Sequence, residues 1–308
     1  MSLLSLFTMS MPMEIPADIV SCIIEQATSD ESSLSTLVQL SHINSVFADG
    51  CRSVVRARVR SDICTFMDDV IMDSLFEVLE SVQGLIAGSV ALAVIEPDFF
   101  IDHPPGGIDI MTPSSTMVEW VAWCESQDFG DREDEEVELD RQESTKSILQ
   151  VKMHNVSIKS FHNIGVIYDD QGTELIIYES QSSSALLPFL SSNLTSQMNM
   201  ISPFRIYYFY PWMTINGISI SGKGSPTVYD IEQLECWSMG YHWSTVVWDE
   251  RCGQGCPGIW RLTYGLEGVG IYEWSRGAHL SNDIFAETRM RWSLGDECYN
   301  AYCPYRAE

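Results

Sequence analysis

The chain has 308 residues, 45% of them apolar, and 43 acidic side chains against 17 basic ones give it a net charge of −26. That length leaves room for about two domains and a sizeable core. An excess of negative charge this large repels phosphate backbones and anionic membrane surfaces, so nucleic acid and membrane are disfavoured as partners and basic proteins favoured.

Residues 14–60 are predicted to form three short helices. Pro16 suits a first helical turn, and Ile15, Ile19, Ile23 and Ile24 recur at helical spacing. Leu34, Leu37, Val38 and Leu40 give a second stripe, and Val46, Phe47, Val54 and Val55 a third. Arg52, Arg56 and Arg60 share one helical face and read as a solvated stripe balanced by nearby acids. A fourth helix is expected over 69–81, with Val70, Leu75, Val78 and Leu79 inward. A short apolar run then ends in Gly88-Ser89, a helix-like segment follows, and a second apolar run carries Asp109. Residues 116–126 again read as helix, with Met117, Val118, Val121 and Ala122 inward.

Between 125 and 143 ten acids face two arginines, a net of −8, so this segment reads as an exposed acidic loop. Beyond it the apolar period drops to two, which predicts strands at 148–153, 156–160 and 174–178, with 162–173 as a connection. A helix is expected over 185–198, then the aromatic strand RIYYFY, closed by Pro211. Residues 241–308 form a small region rich in Trp, Cys and Gly, with strands expected at 246–248 and 269–274.

The N-terminal MSLLSLFTMSMPM lacks the basic start of a signal peptide, and no apolar run reaches the roughly 20 residues that span a bilayer. Nine cysteines, an odd number, argue for a reducing compartment, so the expected location is intracellular, cytoplasmic or nuclear. Cys22, Cys51, Cys64 and Cys124 sit in helical, apolar surroundings and read as reduced core thiols.

Two resemblances organise these elements. IPADIVSCIIEQ followed by LSTLVQLSHINSVFADGCRSVVRARVR resembles an F-box, with its proline-led first helix, Leu40-Ser41 and Val46-Phe47. That resemblance implies docking of residues 14–60 onto the adaptor of a cullin ubiquitin ligase; the alternative is a small helical cap on the main domain. Residues 69–240 resemble a nucleotidyltransferase domain, and the whole chain is similar to a group of uncharacterised fungal proteins that join the two. Gly88-Ser89, Met198-Asn199, Tyr207 to Pro211 and the Cys256-Pro257 and Gly265 to Gly270 stretches carry the likeness. In such domains Gly-Ser approaches a nucleotide phosphate. Two acids spaced one apart on the next strand then hold Mg²⁺, which bridges phosphate oxygens. A third acid on a neighbouring strand assists the attacking hydroxyl.

Carried over, Gly88 and Ser89 are the candidate phosphate-binding residues and Asp109 the candidate metal ligand. The first acid of the pair is replaced by Gly107. Asp109 and Glu174 are the candidate catalytic carboxylates. Glu179 is the other acid flanking the apolar centre of ELIIYES, and Asp98 and Asp102 are available in the connecting segment. A lone aspartate holds Mg²⁺ weakly, so the chain reads more as a pseudo-nucleotidyltransferase than as an enzyme, and Mg²⁺ belongs to the enzymatic alternative alone.

Separately, Cys252, Cys256, Cys298 and Cys303 offer four thiolates to one zinc, with 41 residues between the two pairs, against the alternative of buried cysteines beside tryptophans. The expected architecture is therefore α+β: a short F-box-like helical segment, a nucleotidyltransferase-like mixed sheet flanked by helices, and a Trp/Cys-rich C-terminal region packed on it. The expected function is non-catalytic protein binding, as an adaptor or ubiquitin-ligase substrate receptor. The alternative is a Mg²⁺-dependent nucleotidyltransferase acting on a small molecule or protein.

Overall fold

The computed structural model describes residues 16–28, 34–101, 104–127, 161–168, 174–190, 194–219, 242–243, 256, 259, 261–262, 269–275, 291–292 and 302–304. The predicted strands at 148–153, 156–160 and 246–248, and nearly all of the acidic loop, lie outside the described residues.

Four helices open the chain: α1 (Ala17–Thr28), α2 (Leu34–Ser41), α3 (Ser45–Cys64) and α4 (Asp69–Val82). Asn44 caps α3, its side-chain oxygen accepting from the N–H groups of Val46 and Phe47 at 2.9 and 3.1 Å. Asp68 does the same for α4 through Val70 and Ile71. Each cap satisfies donors that the helix itself leaves unpaired. The arginine stripe behaves as expected: Arg52 pairs with Asp49, and Arg60 bridges Asp69 and Asp73 on α4.

The helices differ from expectation in which way they turn. On α1 Ile24 of the expected stripe is buried, together with Val20, whereas Ile19 and Ile23 are 48% and 39% exposed. The four-residue spacing is right, but the face toward α3 lies one residue further on. Val70 is exposed at the first turn of α4, and Val46 at that of α3. On α6 (Met117–Ser126) Trp120, Trp123 and Cys124 are buried, and Val118 and Val121 are exposed. The two indoles bury more apolar area than the two valines, so they decide the rotation of the helix.

The chain between and after these helices builds a mixed sheet. Its strands are β1 (Leu85–Ala87), β2 (Gly107–Thr112), β3 (Phe161–Tyr168), β4 (Glu174–Ser180), β5 (Asn199–Ile201) and β6 (Arg205–Tyr208). Further on come β7 (Ile218–Ser219), β8 (His242–Trp243), β9 (Arg261–Leu262), β10 (Gly270–Glu273) and β11 (Arg291–Trp292). Among the described residues seven strands form one sheet in the order β10-β6-β5-β1-β2-β4-β3. All neighbours are antiparallel except β2 and β4, which run parallel. Two small ribbons, β9 with β11 and β7 with β8, stand apart from it.

Helix α5 (Gly88–Ile95) joins β1 to β2 by way of a 3-10 turn, Pro97–Phe100. Two more short helices, α7 (Leu186–Leu190) and α8 (Pro211–Ile215), follow β4 and β6.

Alternation along the strands divides the core in two. Ile86, Ile108, Ile110, Leu175 and Ile177 join a cluster with Val20, Leu37, Phe47, Val55, Ile63 and Leu79, so α1 to α4 share one core with the sheet. Leu85, Ala87, Met111, Ile176 and Tyr178 face the other way, where Leu186, Phe189 and Met213 of α7 and α8 cover them.

Two further differences from the sequence reading have local causes. Residues 161–168 are a strand, not a connection; Asn163 and Gly165 conceal its alternation, and its register slips between Phe161 and Asn163. The helix expected over 185–198 is α7 alone followed by a 3-10 turn at Thr195–Gln197, and Asn199 belongs to β5. Pro188, which cannot donate a backbone hydrogen bond, is compatible only with the start of a helix.

Candidate functional site

The junction of β1 and α5 is the tight turn that Gly88-Ser89 predicts. Gly88 has φ +72°, a left-handed conformation that costs a side-chain-bearing residue about 1–2 kcal/mol. A Cβ there would also collide with Oδ2 of Asp109. Asp109 pairs with Ala87 on one side and Ile176 on the other, so its carboxylate stands over the start of α5. It is half-buried, and Oδ1 accepts a hydrogen bond from the Tyr178 hydroxyl at 3.3 Å. Proximity to a helix N-terminus favours a negative charge at this position. Ser89, by contrast, is 7% exposed in the first turn of α5, turned away from solvent.

Gly107 and Asp109 share one face of β2 because two residues separate them. The site is thus a glycine and one carboxylate where the resemblance expects two acids. In β4 the backbone register sets Glu174 opposite Gly107; its side chain lies outside the described residues.

Glu179 has a different use. It falls on the opposite face of β4, is 2% exposed, and Oε1 accepts the backbone N–H groups of Thr116 and Met117 at 3.0 and 3.1 Å. It caps α6 from across the sheet, beside a Thr112, Thr116 and Trp120 hydrogen-bond chain. The third-acid role expected of one of the two glutamates is closed to Glu179. Asp98 is exposed in the 3-10 turn after α5, close enough to Arg58 and Glu96 to influence both electrostatically. Asp102 lies outside the described residues.

Compared with protein-family models, curated proteins and solved structures, the chain matches none.

The cysteines divide by environment. Cys51 and Cys124 are buried, and burial pushes their thiols up to about 11 and about 12, away from reactivity. Cys64 is half-buried and Cys22 exposed, so the expectation of a core thiol fails at Cys22 because it lies on the outer face of α1. In the C-terminal region Cys256 and Cys303 are brought together, Sγ to Sγ 3.6 Å, and both are buried. Cys252 and Cys298 lie outside the described residues. Among the described residues no three His, Cys, Asp or Glu side chains cluster at metal-binding distance, and no helix is long and apolar enough to cross a membrane.

Two groups of site-grade chemistry escape the sequence reading. Tyr178 is two residues from Ile176, the strand partner of Asp109, a proximity that becomes visible only once β2 and β4 are known to be parallel and in register. Arg58 and Glu96 are the other. Arg58 Nη1 and Glu96 Oε1 are buried without a hydrogen-bond partner, and burial with the nearby Asp98 charge pushes Glu96 up to about 8. Arg58 reads in sequence as one more residue of a basic helix; only the packing of α3 on α5 buries it.

Proposed function

We propose that the chain is a non-catalytic intracellular binding protein on a degenerate nucleotidyltransferase-like frame, acting as an adaptor or ubiquitin-ligase substrate receptor. The observation that carries the non-catalytic part is the composition of the β2 site. Gly107 stands where the nucleotidyltransferase resemblance expects a second carboxylate, while Asp109 packs on Gly88 and accepts from Tyr178. Holding Mg²⁺ in such a site relies on one or two fixed carboxylates plus substrate phosphate. Ser89, the expected phosphate donor, is buried.

Support for the adaptor part comes from the outer surface of the first helices. Their inner residues are committed to the shared core, yet Ile19, Ile23, Ile43 and Val46 keep 39–48% of their surface exposed on α1 and at the turn from α2 into α3. Because α1 to α3 share the sheet's core, deleting them would unfold the protein, so the test uses surface changes. Ile19→Asp with Ile23→Asp should abolish capture of a purified cullin-ligase adaptor without lowering the unfolding temperature. Undiminished capture by that variant, or no capture by the wild-type chain, sinks the adaptor role.

One observation keeps the nucleotidyltransferase reading as an alternative: the parallel register sets Glu174 opposite Gly107, beside the strand of Asp109. On that reading calorimetry with Mg²⁺ and a nucleoside triphosphate gives heat that Asp109→Ala removes. No heat from the wild-type chain ends it.

A further inference from the structure

The most unusual side-chain pairing outside this site is that of Cys256 and Cys303. They are 47 residues apart in the chain, and their sulfurs sit 3.6 Å apart. A disulfide needs a separation of about 2.05 Å. Two thiolates on one tetrahedral zinc, each about 2.3 Å from the metal, stand nearly as far apart as these sulfurs. A zinc at that distance from both would subtend an S–Zn–S angle of about 103°, close to tetrahedral.

The described neighbours hold the pair in place. Among the described residues this cluster comprises Cys256 and Cys303 with Ile259 packed on them, separate from both faces of the sheet. The N–H of Ile259 donates to the Cys256 carbonyl at 3.1 Å, which closes a four-residue turn and fixes Cys256 at its first corner.

The sequence repeats the arrangement. Cys256 ends Cys-Gly-Gln-Gly-Cys-Pro, and Cys303 ends Cys-Tyr-Asn-Ala-Tyr-Cys-Pro. The spacings of three and four residues fall inside the usual window for zinc ligands on one segment.

We propose that Cys256 and Cys303 are two ligands of a structural zinc that ties the last part of the chain to the segment around residue 256. Bound zinc would hold both sulfurs as thiolates and contribute its binding energy directly to the folding of this region. The inference is independent of the adaptor reading, since it concerns neither α1 nor the β2 site.

The experiment is elemental analysis of the full-length protein purified from zinc-supplemented cells. One zinc per chain is expected, with at least a tenfold loss in Cys256→Ser and in Cys303→Ser and no loss in Cys22→Ser, which alters an exposed thiol. Because a variant that fails to fold also loses metal, the wild-type chain is stripped of zinc and titrated with Co²⁺. Intense sulfur-to-cobalt charge-transfer absorption is expected, reversed by one equivalent of Zn²⁺. Wild-type protein that carries no zinc and gives no such absorption overturns the proposal. So does an intact mass lighter by two hydrogens, with a peptide joining Cys256 to Cys303.

Discussion

On the helix-bearing face of the sheet Glu179 is 2% exposed and receives the N–H groups of Thr116 and Met117. On the other face Asp109 is half-buried, lies against Gly88 and receives the hydroxyl of Tyr178. Both are carboxylates at the start of a helix, in neighbouring parallel strands. Glu179 takes over the role of an N-cap for α6 and is sealed inside the core. Asp109 stands beside a left-handed glycine and next to a position where a side chain is missing. One face therefore uses its carboxylate to hold elements together, while the other keeps one in a partly open place that packing does not require.

The largest expected effect tests whether the helix-bearing face is a single unit. Phe47 is fully enclosed between α3 and the shared core. Phe47→Ala should cost about 3–5 kcal/mol, and denaturant unfolding followed by both circular dichroism and tryptophan fluorescence should move as one transition. Separate transitions would mean that α1 to α3 fold apart from the sheet, and the unity of that face would be lost.

Next in size is Glu179 itself. Glu179→Ala leaves the two partly buried backbone donors at the start of α6 without their acceptor, at a cost of about 1–2 kcal/mol. Asp109→Asn, which keeps an oxygen for Tyr178, should cost under about 1 kcal/mol. Equal losses in the two variants would show that Asp109 is as structural as Glu179.

Of similar size is Gly88→Ala, expected to cost about 1–2 kcal/mol from its left-handed backbone alone, with the collision against Asp109 added. In a double-mutant cycle, Asp109→Ala should recover the collision but not the backbone part. Strict additivity would show that the carboxylate does not press on Gly88.

Much of the scaffold is readable from the residues. The helical stripes of α2 and α4 hold at Leu34, Leu37, Leu75 and Leu79, and Gly88-Ser89 marks its turn. The α+β class follows from a helical period that gives way to a period of two. Rotation of the helices is less readable, because α6 has apolar residues on every side and only the size of Trp120 and Trp123 decides which face turns in. The candidate site divides in the same way. Loss of an acid at Gly107 is a sequence fact, whereas the capping use of Glu179 and the contact of Tyr178 with Asp109 depend on strand register. A parallel pairing between β2 and β4, separated by more than 60 residues at every rung, leaves no local trace.

The subtlest effect concerns pH. Where α3 packs on α5, Arg58 and half-buried Asp62 come from α3, Glu96 from the end of α5, Asp98 from the turn beyond it, and Tyr208 from β6. Burial pushes Glu96 from the ordinary 4.5 up to about 8, helped by Asp98 and opposed by Arg58. It also pushes Asp62 from 3.8 to about 6, again opposed by Arg58. Both shifts are upward, so at intermediate pH the folded chain holds protons that the unfolded chain has released, and stability falls as pH rises. The Asp62 contribution disappears between about 3.8 and 6, that of Glu96 between about 4.5 and 8. The exposed Asp69, drawn down by hydrogen bonding to Arg60, acts below its ordinary 3.8 and stays outside this range. Denaturant midpoints measured across neutral pH should therefore decline toward pH 8, and Glu96→Gln, which keeps the shape but not the ionisation, should flatten the upper part of that decline. Parallel curves for the two proteins would show that Glu96 is already ionised in the folded state, and the helix-bearing face would then hold a buried charge pair in place of a protonated acid.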